Sequence, residues 1–451
     1  MAVEIEYVTH ASLLFRLGGR QLLTDPFFYP ELDPFAAPSV RNFPPHDLPP
    51  ERFGRLDLVF SSHEHHDHCH PETLEVLRPR IGTVLLPADR PALAARYRQL
   101  GFRDLVFLEN RKQVDLGGDL EVTCYWDDPV DSMLLVRAGG VTVLHGNDCR
   151  PDPATLREIA RRGRVDLGFL CSTSTQELFP LILPRPPEEL ELLSQAREDA
   201  FFDETLARID ALEARTVIPY SYTASYVEPG QLHLNGYGRL TPATFARRLA
   251  EARPRQACWV LQPGDVIVDG AVRPFRDRNL WGETLPEFRA NLAAFAREIQ
   301  PSLPPFDAGD PAECDAALRR HLDERLRAGV PHAGFYSVLG DVVALNVVGR
   351  DSSRRYLVDV AHRPDPPEPG LEIDIPATLM STMLSGAYDP FMILYTYKVA
   401  FRPRAGLALT APQEYLLYLG VMLTLFMDRD NPLLGDFAGL AEHLQANKST
   451  Q

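Results

Sequence analysis

Six cysteines in 451 residues form no C-x-x-C pair. Scattered as Cys69, Cys124, Cys149, Cys171, Cys258 and Cys314, they frame neither a disulfide scaffold nor a four-cysteine metal site, and read as reduced thiols. Positive charge is also short, with 46 Lys and Arg against 62 Asp and Glu and a formal net charge of −16. That balance argues against nucleic acid or an anionic membrane as partner, while leaving room for a local basic pocket around an anionic substrate. Long apolar runs are missing too: the longest near the end, Tyr415 to Phe426, is about a dozen residues and too short to span a bilayer. Met1 to Val8 alternates like a strand and has no basic region followed by an apolar core, so no secretory leader is expected. A cytoplasmic location is the expectation.

What the chain does have is histidine in one place. Ser61-Ser62-His63-Glu64-His65-His66-Asp67-His68-Cys69-His70 holds five histidines in eight consecutive positions. Neutral imidazole is the commonest protein ligand for a transition metal, and Asp67 adds an anionic oxygen donor to the same turn. Leu56 to Phe60 is an apolar run of buried-strand length, and Pro71 to Leu77 reads as a helix with proline near its start. The histidines therefore lie on a strand-to-helix loop. A histidine-rich tract that merely scavenges metal is the plainer alternative.

Read as H-x-H-x-D-H, residues His63, His65, Asp67 and His68 resemble the signature of the metallo-β-lactamase superfamily. The resemblance implies an α/β fold, a four-layer αββα sandwich, holding two metals: His63 and His65 on the first, Asp67 and His68 on the second. The hairpin signal Gly18-Gly19 and the Thr24-Asp25-Pro26 that follows match the family's opening meander. His10-Ala11-Ser12 is similar to an element of the lactonase-like and phospholipase-like branches, which would set His10 beside the ligands or the substrate; a plain strand histidine is the alternative. Asp148, ending His145-Gly146-Asn147-Asp148, stands where the family carries the aspartate that bridges both metals, a role suited to a carboxylate because it offers one oxygen to each cation. Asp67 and Asp148 are the carboxylates this resemblance places in catalysis.

Hydrolytic members carry a further histidine upstream of the bridging aspartate, where this chain reads Val122-Thr123-Cys124-Tyr125-Trp126-Asp127-Asp128-Pro129. Asp127 or Asp128 is the nearest ligand type, with Cys124 a weaker candidate among apolar strand residues. With Asp127, the first metal would have His63, His65 and Asp127, a two-histidine, one-carboxylate set that resembles oxygen-activating non-haem iron. A carboxylate at this place also occurs in the superfamily's diiron hydroxylase branch. The second metal lacks a distal histidine, and His233 is chosen for it, by elimination as well as by the family's pattern. Trp126, Tyr222 and Tyr226 are expected around the substrate, with packing alone the reading for at least one of the tyrosines. Residues 29 to 55, rich in proline and aromatics, are expected to cover the site as a long loop.

Val130 to Val136, Asn147-Asp148-Cys149-Arg150-Pro151, Ile218 to Glu228 and Trp259 to Asp265 look similar to the hydroxylase part of the CMP-N-acetylneuraminate hydroxylase family. In that family a Rieske iron–sulfur domain supplies electrons; no C-x-H and C-x-x-H pair occurs in this sequence. The resemblance therefore implies a two-iron oxygenase of a small organic molecule, fed by a separate Rieske- or ferredoxin-type donor. A zinc- or manganese-dependent hydrolase of the lactonase or phosphodiesterase type is the alternative, and a metal-binding protein without chemistry a third reading. Length points to two domains, placed at residues 1–290 and 305–451 on the Pro301-Ser302-Leu303-Pro304-Pro305 break. In the second, strands are expected at Gly334–Leu339, Asp341–Val348, Arg355–Val360 and Leu371–Ile375, with helices at Cys314–Leu326, Ala377–Leu384 and Ala411–Met427. That α+β pattern looks like a sterol-carrier-protein-type domain, which could hold an apolar moiety or form a homodimer surface.

Overall fold

A computed structural model describes residues 3–17, 19–28, 40–46, 48–126, 131–171, 178–221, 224–235, 237, 240–303, 306–332, 334–386, 390–394, 396–404 and 409–427. Among the described residues, contacts divide the chain into two units: those within 1–33, 39–175 and 195–303 form one, and those within 176–194 and 304–451 the other.

The first unit is built on two facing sheets. One has eight strands, of which Val3–Thr9, Ser12–Leu17 and Arg20–Thr24 form the antiparallel meander and Leu56–Phe60, Ile81–Pro87 and Leu105–Leu108 continue it in parallel. The other has seven strands; its hairpin Met133–Ala138 and Val141–His145 leads into parallel Leu167–Cys171 and Thr216–Tyr220. Strand side chains point alternately to opposite faces, and the sequence uses both. Tyr7, Leu13, Phe15, Leu22, Leu58 and Phe60 meet Leu134, Val136, Val143, Phe169 and Ile218 in the layer between the sheets. Their neighbours face helices instead: Val84 and Leu86 pack with Leu93, Ala94 and Tyr97, and Leu135, Leu144 and Val217 with Leu156, Ile159, Phe202 and Phe245. Parallel strands buried on both faces need this helical cover, and the result is the four-layer αββα arrangement.

In the second unit four strands run Ser353–Asp359, Val342–Val348, Leu371–Pro376 and Ala400–Pro403 in spatial order. Leu371, Ile373 and Ile375 turn into an apolar core shared with helices Pro311–Ala328, Ala377–Leu384 and Ala411–Phe426. Glu372 and Asp374 alternate outward and pair with Arg355, Arg402 and Asn346. Gly334–Val338, expected as a strand, is a helical turn. Its Phe335, Tyr336 and Val338 are all buried, and five residues are too few for periodicity to separate a turn of helix from a strand. No helix among the described residues is long and apolar enough to cross a membrane.

Candidate metal centre

The site gathers at the carboxyl ends of the strands of the first unit. His10 follows Val3–Thr9, Asp25 follows Arg20–Thr24, the His63–His70 loop follows Leu56–Phe60, and Asn147 and Asp148 follow Val141–His145. His10, Asp25, Asn147 and Ser221 have φ of +47°, +40°, +39° and +61°. That left-handed region is disfavoured for L-residues, Asn, Asp and His tolerating it best, and its use is concentrated at functional sites. Gly146 answers a different need: its N–H donates to the Phe169 carbonyl at 2.9 Å, and a Cβ there would lie 2.6 Å from that same oxygen.

His10, Asp67, His68 and Asp148 each offer one ligand atom, and the four atoms lie within 4.8 Å of one another. His10 Nε2 is 3.1 Å from Asp67 Oδ2 and 3.3 Å from His68 Nε2, and His68 Nε2 is 3.3 Å from Asp148 Oδ2. Both histidines are buried, while the Asp67 and Asp148 side chains keep 21% and 24% exposure, so access to the cluster is from the carboxylate side. Beside it, His63 Nε2 lies 2.8 Å from His65 Nδ1, and the His63 and His68 rings are 4.1 Å apart.

Two carboxylates stand behind these imidazoles. Asp25, fully buried, accepts from Ser62 N at 2.7 Å and Ser62 Oγ at 3.0 Å, and its Oδ2 meets His68 Nδ1 at 3.1 Å and His145 Nε2 at 3.0 Å. Asp131 Oδ1 lies 3.1 Å from His63 Nδ1. The Asp25 carboxylate behind His68 Nδ1 holds a proton there and turns Nε2 toward the site, the arrangement that orients metal-binding histidines, whereas the hydrogen bond at His63 Nδ1 is with Ser62 Oγ at 3.0 Å.

The electrostatics follow from burial and pairing. Burial alone would raise the Asp25 carboxyl, but His68 and His145 hold it well below the usual carboxylate range. Asp67 and Asp148 are likewise lowered against their burial, chiefly by His68 and then His10. Burial, reinforced by His68 and His65, keeps His63 well below the usual imidazole value. His68 goes the other way: burial opposes its charge, but Asp148, Asp67 and Asp25 push it well above. A cation entering the cluster supplies positive charge in place of that proton. Two imidazoles and two carboxylates converging on one point, with Asp148 Oδ1 buried and without a hydrogen-bond partner among the described residues, fit a divalent metal.

The structure thus brings together Asp67, His68 and Asp148 with His10, and sets His63 and His65 alongside. His233 is exposed on the turn Pro229–Leu234, 6.3 Å in ring separation from Tyr237, and is not in the cluster, whose second histidine beside His68 is His10. Tyr226 is fully buried in Ala224–Tyr226, its backbone paired with Asn235. Trp126 is half-buried against the inter-sheet core and pairs through its backbone with Asn110. Asp127, Asp128 and Tyr222, and residues 29–39 of the proposed cover, lie outside the described residues. Asp25, Asp131 and His145 gained no role from sequence; the Thr24-Asp25-Pro26 motif was the one signal available, and it marked a turn rather than a partner.

The sequence profile of the β-lactamase superfamily domain matches residues 4–169 of this chain. A protein of Mycolicibacterium smegmatis, named a Rieske 2Fe-2S iron-sulfur protein, is 25% identical over 419 residues, covering 85% of this chain and 78% of that one. The 4-amino-L-phenylalanyl-[CmlP-peptidyl-carrier-protein] 3-hydroxylase of Streptomyces venezuelae is 34% identical over 242 residues, 48% of this chain and 43% of that enzyme. Cytidine monophosphate-N-acetylneuraminic acid hydroxylase of Cricetulus griseus is 30% identical over 168 residues, 35% of this chain. The chain spans less than half of either hydroxylase, 43% and 29% of their lengths.

Proposed function

We propose that this protein is a metal-dependent hydroxylase that places one atom of O₂ into a C–H bond of a small organic substrate. The balance is R–H + O₂ + 2e⁻ + 2H⁺ → R–OH + H₂O, with both electrons drawn from a separate Rieske- or ferredoxin-type protein. The carrying observation is a donor set of mixed imidazole and carboxylate, His10, Asp67, His68 and Asp148 beside His63 and His65, in a chain whose relatives include two named hydroxylases. Two iron ions held there would supply oxygen activation and the storage of two electrons.

The chain's own contribution is placement. Asp67 and Asp148 carry the negative charge that would offset two cations held in one pocket. Asp25 fixes the orientation of His68 from behind, and Ser62 Oγ meets His63 Nδ1 with Asp131 close by. Buried His10, His63 and His68 keep bulk water from one side of the cluster, while the part-exposed carboxylate side admits substrate.

Metal analysis of protein purified without added metal or chelator, joined to substrate-dependent O₂ uptake with a chemical reductant, tests this reading. About two irons per chain and incorporation of ¹⁸O from ¹⁸O₂ into product support it. Turnover of lactone or phosphodiester substrates by zinc- or manganese-loaded protein without O₂ or reductant overturns it in favour of a hydrolase.

A further inference from the structure

A second layer behind the cluster is connected in one direction. Asn147 N–H donates to Tyr220 Oη, Tyr220 Oη lies 2.9 Å from His145 Nδ1, and His145 Nε2 lies 3.0 Å from Asp25 Oδ2. Asp25 Oδ2 is in turn 3.1 Å from His68 Nδ1. Tyr220, His145, Asp25 and Asn147 are all essentially inaccessible, so every donor and acceptor in the chain must be matched. An ionised carboxylate only accepts, so His145 Nε2 and His68 Nδ1 both present N–H to Asp25. The other nitrogen of a neutral His145 is then a bare acceptor, and Tyr220 O–H is what fills it. The Tyr220 oxygen receives Asn147 N–H, and the sequence of bonds closes without an orphan.

We propose that His145 and Tyr220 are positioning residues for the metal centre: they hold Asp25, and through it fix the ring orientation and tautomer of His68. The same chain reaches Asp148 from its other end, because Asp148 N donates to Asn147 Oδ1 at 2.5 Å. Two residues of the cluster on loops after different strands, His68 and Asp148, are thereby tied behind the site by one set of hydrogen bonds. The inference rests on the metal-holding part of the proposed function and not on its oxygen chemistry.

Cobalt(II) titration of the full chain, read by visible absorption under nitrogen, tests it in Tyr220→Phe, His145→Ala and His145→Gln. Loss of the Tyr220 donor or of the His145 ring is expected to weaken cobalt binding about 10–100-fold and to alter the ligand-field bands, while thermal unfolding shows the variants folded. His145→Gln, whose amide N–H can replace Nε2–H toward Asp25, is expected to restore most of both. Wild-type affinity and spectrum in folded Tyr220→Phe and His145→Ala overturn the proposal. Imidazole ¹⁵N NMR of the wild-type protein decides it even if the variants do not fold: a bare Nδ1 on His145 and a proton on His68 Nδ1 are expected, and a protonated Nδ1 on His145 or a bare Nδ1 on His68 refutes it. Failure of the wild-type protein to bind cobalt would remove the metal from the proposed function, and the NMR result would still decide which Nδ1 atoms carry protons.

Discussion

Asp25→Asn is the most informative single change, because its cost can be counted from the hydrogen bonds it breaks. The carboxylate accepts four donors: Ser62 N on Oδ1, and Ser62 Oγ, His68 Nδ1 and His145 Nε2 around Oδ2. If the new amide nitrogen takes the Oδ2 place, three donors face a donor. The cheaper choice sets it at Oδ1, where it meets Ser62 N–H alone. That orphaned buried donor costs about 1–3 kcal/mol, and the two imidazole bonds, now to a neutral oxygen, each lose about 1 kcal/mol. Removing a buried charge relieves some desolvation, so the expected net loss is about 2–4 kcal/mol. Urea unfolding followed by fluorescence, run with chelator so that metal stabilisation does not enter, measures it. The same variant should bind cobalt about 10–100-fold more weakly. A stability change below about 1 kcal/mol together with unchanged cobalt affinity would show that Asp25 does not support His68, and the account of the second layer would fall.

His10→Ala and His233→Ala separate the cluster seen in the fold from the pattern read in the sequence: metal content should fall by about one ion per chain in the first and stay unchanged in the second, as plasma mass spectrometry would report. His46 bears on acid stability, since burial, with Arg52 and Arg276 nearby, lowers it from 6.5 to about 4. Between these values the unfolded chain binds a proton that the folded chain refuses, so stability should be level above about pH 6.5 and fall as pH drops toward 4, by at most about 3 kcal/mol because the ring is only partly covered. His46→Gln should remove that part of the slope in denaturant midpoints taken across the range. In the second unit, a Cβ on Gly420 would lie 2.7 Å from the Phe335 ring, so Gly420→Ala should cost about 1–3 kcal/mol by overpacking, seen as a lower thermal midpoint.

The layers were legible where periodicity is strong. Leu56–Phe60, Met133–Ala138 and Val141–His145 could be read as strands because their apolar residues run continuously, as strands covered on both faces require. The His63–His68 motif was legible because ligand chemistry constrains spacing within one loop. Ligands that arrive from separate strands were harder, since sequence distance says nothing of which strand ends converge. Asp148 was named through the family resemblance and His10 as a neighbour of the ligands or substrate; that the two, following strands of different sheets, come within 3.9 Å of each other is what the fold adds. His233 stood out as an isolated histidine after a strand, yet its short 3₁₀ turn leaves it exposed. Asp25 was marked only through Thr24-Asp25-Pro26, which gave it a turn and no partner, and His145 carried no signal, because a residue that acts by holding another residue has no spacing rule.

Asn147 shows how the strain in this site is balanced, and it can be tested by relaxing it. Its φ of +39° is a conformation that glycine adopts freely, so Asn147→Gly should recover about 1 kcal/mol of backbone strain. Against that gain stand the bonds its side chain makes: Oδ1 accepts from Asp148 N at 2.5 Å and Cys149 N at 3.2 Å, and Nδ2 donates to the Ser132 carbonyl. Ser132 Oγ in turn donates to the Ser62 carbonyl at 2.8 Å, inside the histidine loop. Three buried bonds at about 1 kcal/mol each outweigh the strain, so the glycine variant should be less stable by about 2 kcal/mol. Its larger effect should be on the site, because Asp148 loses the anchor that sets its position beside His68, and cobalt affinity should fall further than in a matched surface substitution. A glycine variant that is more stable and binds metal as well as wild type would mean that the left-handed turn is an incidental strain. A less stable variant with weakened binding would mean that the turn is maintained because its side chain links the end of one sheet to the metal loop of the other.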